Sequence, residues 1–128
     1  FKPVQKGGLH MNLVRQVLER MYVGECTIAE HLEYDKPNGS TGFREVTVLM
    51  KEPCRLSFQS KEAANAGERA SGITQTIKLF LRPDVPVREG SKITVTQNGV
   101  TADYTRSGVP AVYETHQEVV LDLWKEWA

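Results

Sequence analysis

Several things that announce a function are scarce or missing in these 128 residues. There is no basic excess: sixteen Lys and Arg offset sixteen Asp and Glu, for a formal net charge of zero. A protein that grips nucleic acid by neutralising phosphates usually carries such an excess, so autonomous DNA binding is disfavoured. Cysteine is limited to Cys26 and Cys54. With His10, His31 and His116 scattered along the chain, no zinc-type spacing forms, and no metal or cofactor is expected. The two thiols read as small buried apolar groups. A disulfide would require their strands to pair, and a reducing cytosol would keep it open. No apolar run is long enough to span a membrane, and no signal-peptide pattern is present, so synthesis in the cytoplasm is the expectation.

Motifs for chemistry are equally thin. The stretches 39–42 and 67–72 hold glycines but lack the lysine and helix start of a phosphate loop. No serine sits in a G-x-S-x-G setting. His116 and Glu118 stand two apart and so share one face of a strand. That pair could do acid–base work, but an exposed strand pair accounts for it more simply. Glu30, Glu33 and Asp35 flank a loop and read as solvated. The expectation is a protein that is not an enzyme.

What is present is a β pattern. Hydrophobic residues make up 40% and charged residues 25%, the balance of an ordinary globular domain. Within 91–107, Ile93 and Val95 alternate with Lys92, Thr94 and Thr96, and Val100, Ala102 and Tyr104 alternate with Thr101, Asp103 and Thr105. Between them Asn98-Gly99 supplies two residues that tolerate positive φ, as a type I′ turn requires. Two alternating runs joined by Asn-Gly make the strongest short-range hairpin signal a sequence carries.

Ahead of the hairpin, 1–11 reads as a flexible arm or non-native remnant, and 12–128 as one domain. Leu13, Val14, Val17, Leu18 and Met21 predict an amphipathic helix over 12–21, with Asn12 as N-cap and Arg15, Gln16, Glu19 and Arg20 on the wet face. Strands are predicted over 22–34 and 43–50, joined by a polar loop at 35–42, and over 54–58 after a break at Pro53. The segment 60–72 holds small and polar residues with no large apolar group, and reads as an excursion from the β pattern. Further strands follow at 73–81 and, after a loop at 107–110, over 112–124. Phe43, Phe58, Phe80, Tyr104 and Tyr113 fall at positions that read as core. The fold class is therefore mainly β: a small antiparallel barrel or sandwich with an N-terminal α-helix and long loops.

The order of short motifs in the second half resembles head-closure proteins of long-tailed bacteriophages, also called head–tail connectors or stoppers. Pro83-Asp84-Val85-x-Val87-x-x-Gly90-Ser91-x-Ile93 enters the hairpin. After it come Gly108-Val109-Pro110-Ala111-Val112-Tyr113 and then His116-Gln117-Glu118 leading into an apolar strand. Arg20-Met21-Tyr22-Val23-Gly24 with Cys26-Thr27-Ile28 is similar to small phage and prophage proteins known as minor capsid or connector proteins. The likeness covers roughly 21–128.

The resemblance implies a barrel that forms a ring in the virion neck beneath portal and adaptor, closes the DNA-filled head and docks the tail. Its partners would be further copies of itself, the portal or adaptor ring, a tail-side protein, and DNA that passes without sequence-specific binding. A tail-completion or tail-tube-associated ring is the neighbouring alternative, and an OB-type nucleic-acid-binding barrel the more distant one. Candidate assembly or channel loops are Ser60, Lys61, Glu62, Asn65, Gly67, Glu68, Arg69 and Gly72, together with Asp35, Lys36, Asn38 and Gly39. Trp124 and Trp127 form a candidate partner-docking tail.

Overall fold

The computed structural model describes residues 6–62 and 73–127. One helix, α1 (Lys6–Glu19), precedes seven strands: β1 (Gly24–Asp35), β2 (Thr41–Glu62), β3 (Ile73–Leu81), β4 (Lys92–Gln97), β5 (Val100–Arg106), β6 (Ala111–Val112) and β7 (Gln117–Leu123). All pairings are antiparallel. The sheet runs β3-β2-β1-β4-β5-β7-β6, and an added β3–β7 ladder joins it into a closed circuit. Closure abolishes most sheet edges, which is how a small β domain avoids pairing indiscriminately. Of the barrel or sandwich expected from the alternation, the ring-like barrel arrangement is the one observed.

Alternation explains the interior. Cys26 and Ile28 from β1, Cys54 and Leu56 from β2, Leu79 and Leu81 from β3, Ile93 and Val95 from β4, Tyr104 from β5, and Val119 and Leu121 from β7 all point inward and form one buried cluster. Val85 and Val87, from the connection between β3 and β4, join it. That connection is held by the buried Gln117, whose Nε2 donates to the carbonyls of Arg82 (3.0 Å) and Val85 (2.6 Å). Arg106 adds a bond from Nη1 to the Val87 carbonyl at 2.9 Å. The Asn98-Gly99 turn has both residues at positive φ, 54° and 79°, as the type I′ reading requires.

Four expectations are corrected. The helix starts at Lys6 rather than at Asn12, so Asn12 lies inside it rather than at its N-terminus. The apolar stripe is only partly used: Val14 and Leu18 are half-buried, while Leu13 and Val17 face solvent. Pro53 does not end a strand, because β2 is a single strand of 22 residues. Its first part, through Cys54, pairs with β1, and its second part, from Arg55, pairs with β3. Pro53 thus sits where β2 is laddered on one side alone, the setting in which a sheet tolerates proline. The last β segment is interrupted: β6 and β7 are separate, with 113–116 turning between them.

The fourth correction concerns the aromatics. Tyr104 is buried, but Phe43 (57% exposed), Phe58 (51%) and Tyr113 (51%) are on the surface. Alternation locates a face but not its end: Phe43 lies on a stretch of β2 beyond the β4 ladder, Phe58 pairs with Ile77 at the last rung that β7 reaches, and Tyr113 follows β6 outside any strand.

Candidate interaction surfaces

Because β2 changes partner midway, two ribbons leave the barrel. In the first, β1 from Glu30 to Asp35 pairs with β2 from Val46 back to Thr41, beyond the point where β4 stops at Ala29. In the second, β2 from Gln59 to Glu62 pairs with β3 from Thr76 back to Ile73, beyond the β7 ladder that begins at Ile77. Both ribbons have backbone edges with no strand partner among the described residues. Just before the first, between Cys26 and Ala29, the β1–β2 ladder has two register shifts, each of which gives β2 one more residue than β1. Lys51 lies in the first shift at φ 51°, and its N–H donates to Thr27 Oγ1 at 3.3 Å.

The predicted assembly loops map onto these ribbons. Asp35 closes β1 against Thr41, and Lys36, Asn38 and Gly39 make the tip of the first ribbon. There Asn38 Oδ1 accepts from Ser40 N–H at 3.0 Å and from Ser40 Oγ at 2.7 Å, while Gly39 N–H donates to the Lys36 carbonyl at 2.9 Å. At the second ribbon, Ser60, Lys61 and Glu62 are strand residues, a correction to the excursion expected from residue 60. Asn65, Gly67, Glu68, Arg69 and Gly72 lie outside the described residues.

The tail tryptophans fold back onto the base of the first ribbon. Trp127 stacks on His31 with ring centroids 4.8 Å apart, and His31 in turn meets Phe43 at 5.2 Å. Trp124 stands edge-on to Trp127 at 4.5 Å, with Lys92 Nζ 5.9 Å above its ring. Lys92 also pairs with Glu45 at 3.0 Å. This row of four rings was not legible as a unit, since its members come from β1, β2 and the segment after β7. His31, Leu32, Phe43 and Trp127 line a cavity of about 300 Å³ together with Glu30 and 88–91. Leu32 and Phe43 on this ribbon, and Val48 and Met50 in β2 just before its base, are exposed apolar side chains.

Around β6 and β7 further apolar side chains are exposed, Val109, Val112 and Tyr113 in and beside β6, and Val120 and Leu123 on opposite sides of β7. Others lie on the outer side of α1, with Leu13, Val17 and Met21 at helical spacing beside Val23. The helix is tied to the barrel by Arg15 to Asp84 at 3.1 Å. Arg82 joins Asp84 at 3.7 Å and Glu52 at 2.6 Å. The hydrogen bond to Glu52 raises the affinity of the Arg82 guanidinium for its proton.

His116 and Glu118 come together as the sequence suggested: Nε2 lies 3.0 Å from Glu118 Oε2, and Nδ1 lies 3.1 Å from Thr115 Oγ1. The ring stacks on Tyr113 at 4.9 Å and faces Phe80 at 6.1 Å. Lys78 Nζ approaches the same carboxylate at 3.6 Å. Shared among these partners, the pair joins β3, β7 and the 113–116 turn, which is a structural use. Among the described residues, no three His, Cys, Asp or Glu side chains are grouped so as to hold a metal. Cys26 and Cys54 are free and fully buried side by side. Hydrogen bonding to Cys54, followed by burial, pushes the Cys26 thiol strongly upward from its ordinary range. No described helix is long and apolar enough to cross a membrane.

No family model and no curated protein match this chain. Among solved structures, it is similar to the phage-like element PBSX protein xkdH from Bacillus subtilis, at 13% identity and a TM-score of 0.47 over 77% of this chain and 91% of that one.

Proposed function

We propose that this chain is a structural protein of a phage particle, a subunit of a ring in the neck between portal or adaptor and tail. There it closes the DNA-filled head and offers a docking surface to the tail, without catalysis or cofactor. The reading rests on the ordered motifs that resemble head-closure proteins. The observation that carries it furthest is that exposed apolar side chains occur on separate elements of one barrel domain, on α1, on β1 and β2 at the first ribbon, and around β6 and β7. Different patches on one subunit suit head-to-tail contacts, which close into rings, whereas a single patch suits a two-fold dimer. A formal charge of zero suits a channel through which DNA must slide.

In this reading the first ribbon (Asp35, Lys36, Asn38, Gly39) and the second (Ser60, Lys61, Glu62, leading to Asn65, Gly67, Glu68, Arg69 and Gly72) contact neighbouring copies, adjacent rings or the lumen. Trp124 and Trp127 stiffen the base of the first ribbon and present its outer face to a partner. Electron microscopy of assembled particles, with this chain tagged, tests the proposal. A ring at neck height is expected. A chain absent from the particle overturns the reading, and a ring within the tail replaces it with the tail-completion alternative.

One observation favours a second reading. Phe43 is exposed beside His31, with Arg44 next to it in sequence, the elements of a base-stacking surface in an OB-type barrel. The charge balance weighs against it. A stable complex with single-stranded DNA at physiological salt would decide for that alternative.

A further inference from the structure

Two turns, the tip of the first ribbon and the β4–β5 turn, carry Asn-Gly, the pairing in which a backbone nitrogen meets the least steric hindrance when it attacks the preceding carboxamide. We propose that Asn98 is a site of spontaneous deamidation, while Asn38, in the same dipeptide, is shielded by the hydrogen bonds of its turn. This inference does not depend on the proposed function.

In the reaction Gly99 N gives its proton to water or hydroxide and attacks Asn98 Cγ. A Gly99 N–Cγ bond forms, the Cγ–Nδ2 bond breaks, and Nδ2 leaves as ammonia with a proton from solvent. Water then opens the five-membered imide at either carbonyl, giving aspartate or isoaspartate. No oxidant or reductant is needed.

Steric access is equal at the two sites, since a Cβ at Gly39 or at Gly99 would meet nothing within 4 Å. Hydrogen bonding separates them. Gly39 N–H is held by the Lys36 carbonyl at 2.9 Å, which opposes the proton loss that starts the reaction. Asn38 Oδ1 is pinned by Ser40 N–H and Oγ, at 3.0 and 2.7 Å, which stops the carboxamide from swinging toward the nitrogen. Among the described residues neither restraint has a counterpart at Asn98, and Asn98 and Gly99 are both exposed. The isoaspartate product adds a methylene to the main chain within a turn whose φ values, 54° and 79°, set the Gln97–Val100 register. It also adds a negative charge at the hairpin tip.

The test is to age the purified chain at mildly alkaline pH, native and in denaturant, and follow both Asn-Gly peptides by mass spectrometry with isoaspartate-specific labelling. In the native chain Asn98 is expected to convert about tenfold or more faster than Asn38, the factor that one or two hydrogen bonds supply. In denaturant the two rates should converge. Ser40→Ala, which removes one donor to Oδ1, should speed Asn38 and leave Asn98 unchanged. Native conversion of Asn38 as fast as Asn98 would overturn the proposal, as would a Ser40→Ala chain in which Asn38 is no faster.

Discussion

The side chain of Gln97 does for Leu56 what a strand would do. Its Oε1 accepts from Leu56 N–H at 2.8 Å and its Nε2 donates to the Leu56 carbonyl at 3.1 Å. Leu56 lies just past the end of the β1 ladder, where β2 has lost its neighbour on that side. Gly24, opening β1, makes room: a Cβ there would come within 3.0 Å of Gln97 Oε1 and 3.1 Å of the Thr96 carbonyl. A single carboxamide thus seals the seam at which β2 changes partner.

Gln97→Ala removes both bonds and leaves a part-buried peptide group unpaired, so a loss of about 1–3 kcal/mol is expected in urea unfolding. Gln97→Glu keeps the acceptor but sets a carboxylate against the Leu56 carbonyl, and should cost at least as much. A neutral result for both would mean that water replaces the amide there.

Glu52 and Arg82 are unequal partners. The carboxylate side chain is 9% exposed and the guanidinium 41%, so losing the cation strands a buried anion while losing the anion frees a solvated cation. Arg82→Met should therefore destabilise more than Glu52→Gln, by about 1–2 kcal/mol once the exposure of Arg82 is allowed for. Thermal unfolding of the two variants gives the order directly, and the reverse order would be inconsistent with this account.

Lys51 holds a conformation that suits glycine. At φ 51° its Cβ crowds the backbone, a penalty of about 1 kcal/mol for a residue with a side chain. Lys51→Gly is expected to stabilise the chain slightly or leave it unchanged, against the usual destabilisation by glycine within a strand. A clear loss of stability in calorimetry would show that the lysine makes a contact worth more than the strain.

High pH should weaken the barrel. Folding raises the Cys26 thiol above its ordinary 9.0, chiefly through the Cys54 hydrogen bond, and raises the Tyr104 phenol above 10.0 through burial. Each group holds its proton more tightly when folded, so its contribution is complete below the ordinary value and falls as pH climbs past it. The slope is at most about 1.4 kcal/mol per pH unit per group. Stability should be level near neutrality and decline above about pH 9, less steeply in Cys26→Ala. For the same reason, the native Cys26 thiol should resist alkylation until the chain unfolds.

These features show which parts of the fold were legible in sequence. The hairpin at Asn98-Gly99 was, because turn chemistry and alternation are both local. Inward residues such as Ile93, Val95, Leu79 and Leu81 followed from parity. Phe43 and Phe58 did not, since parity gives the side of a strand and not where the opposing layer ends. Pro53 suggested a break because the partner switch that accommodates it depends on β1 and β3, strands that are distant from it in sequence. The aromatic row was hidden for the same reason: His31, Phe43 and Trp127 come from distant parts of the chain.

β7 is the piece on which barrel closure waits. It pairs with β3, β5 and β6, and its ladder with β3 joins residues 77–81 to residues 117–121. As the chain leaves the ribosome, β1 through β5 can assemble only as an open, curled sheet with two bare ends. The circuit is completed once the segment from Gln117 to Leu123 has emerged. Contacts between such distant residues make for slow folding, and until they form the open sheet is the species most exposed to pairing with the wrong chain.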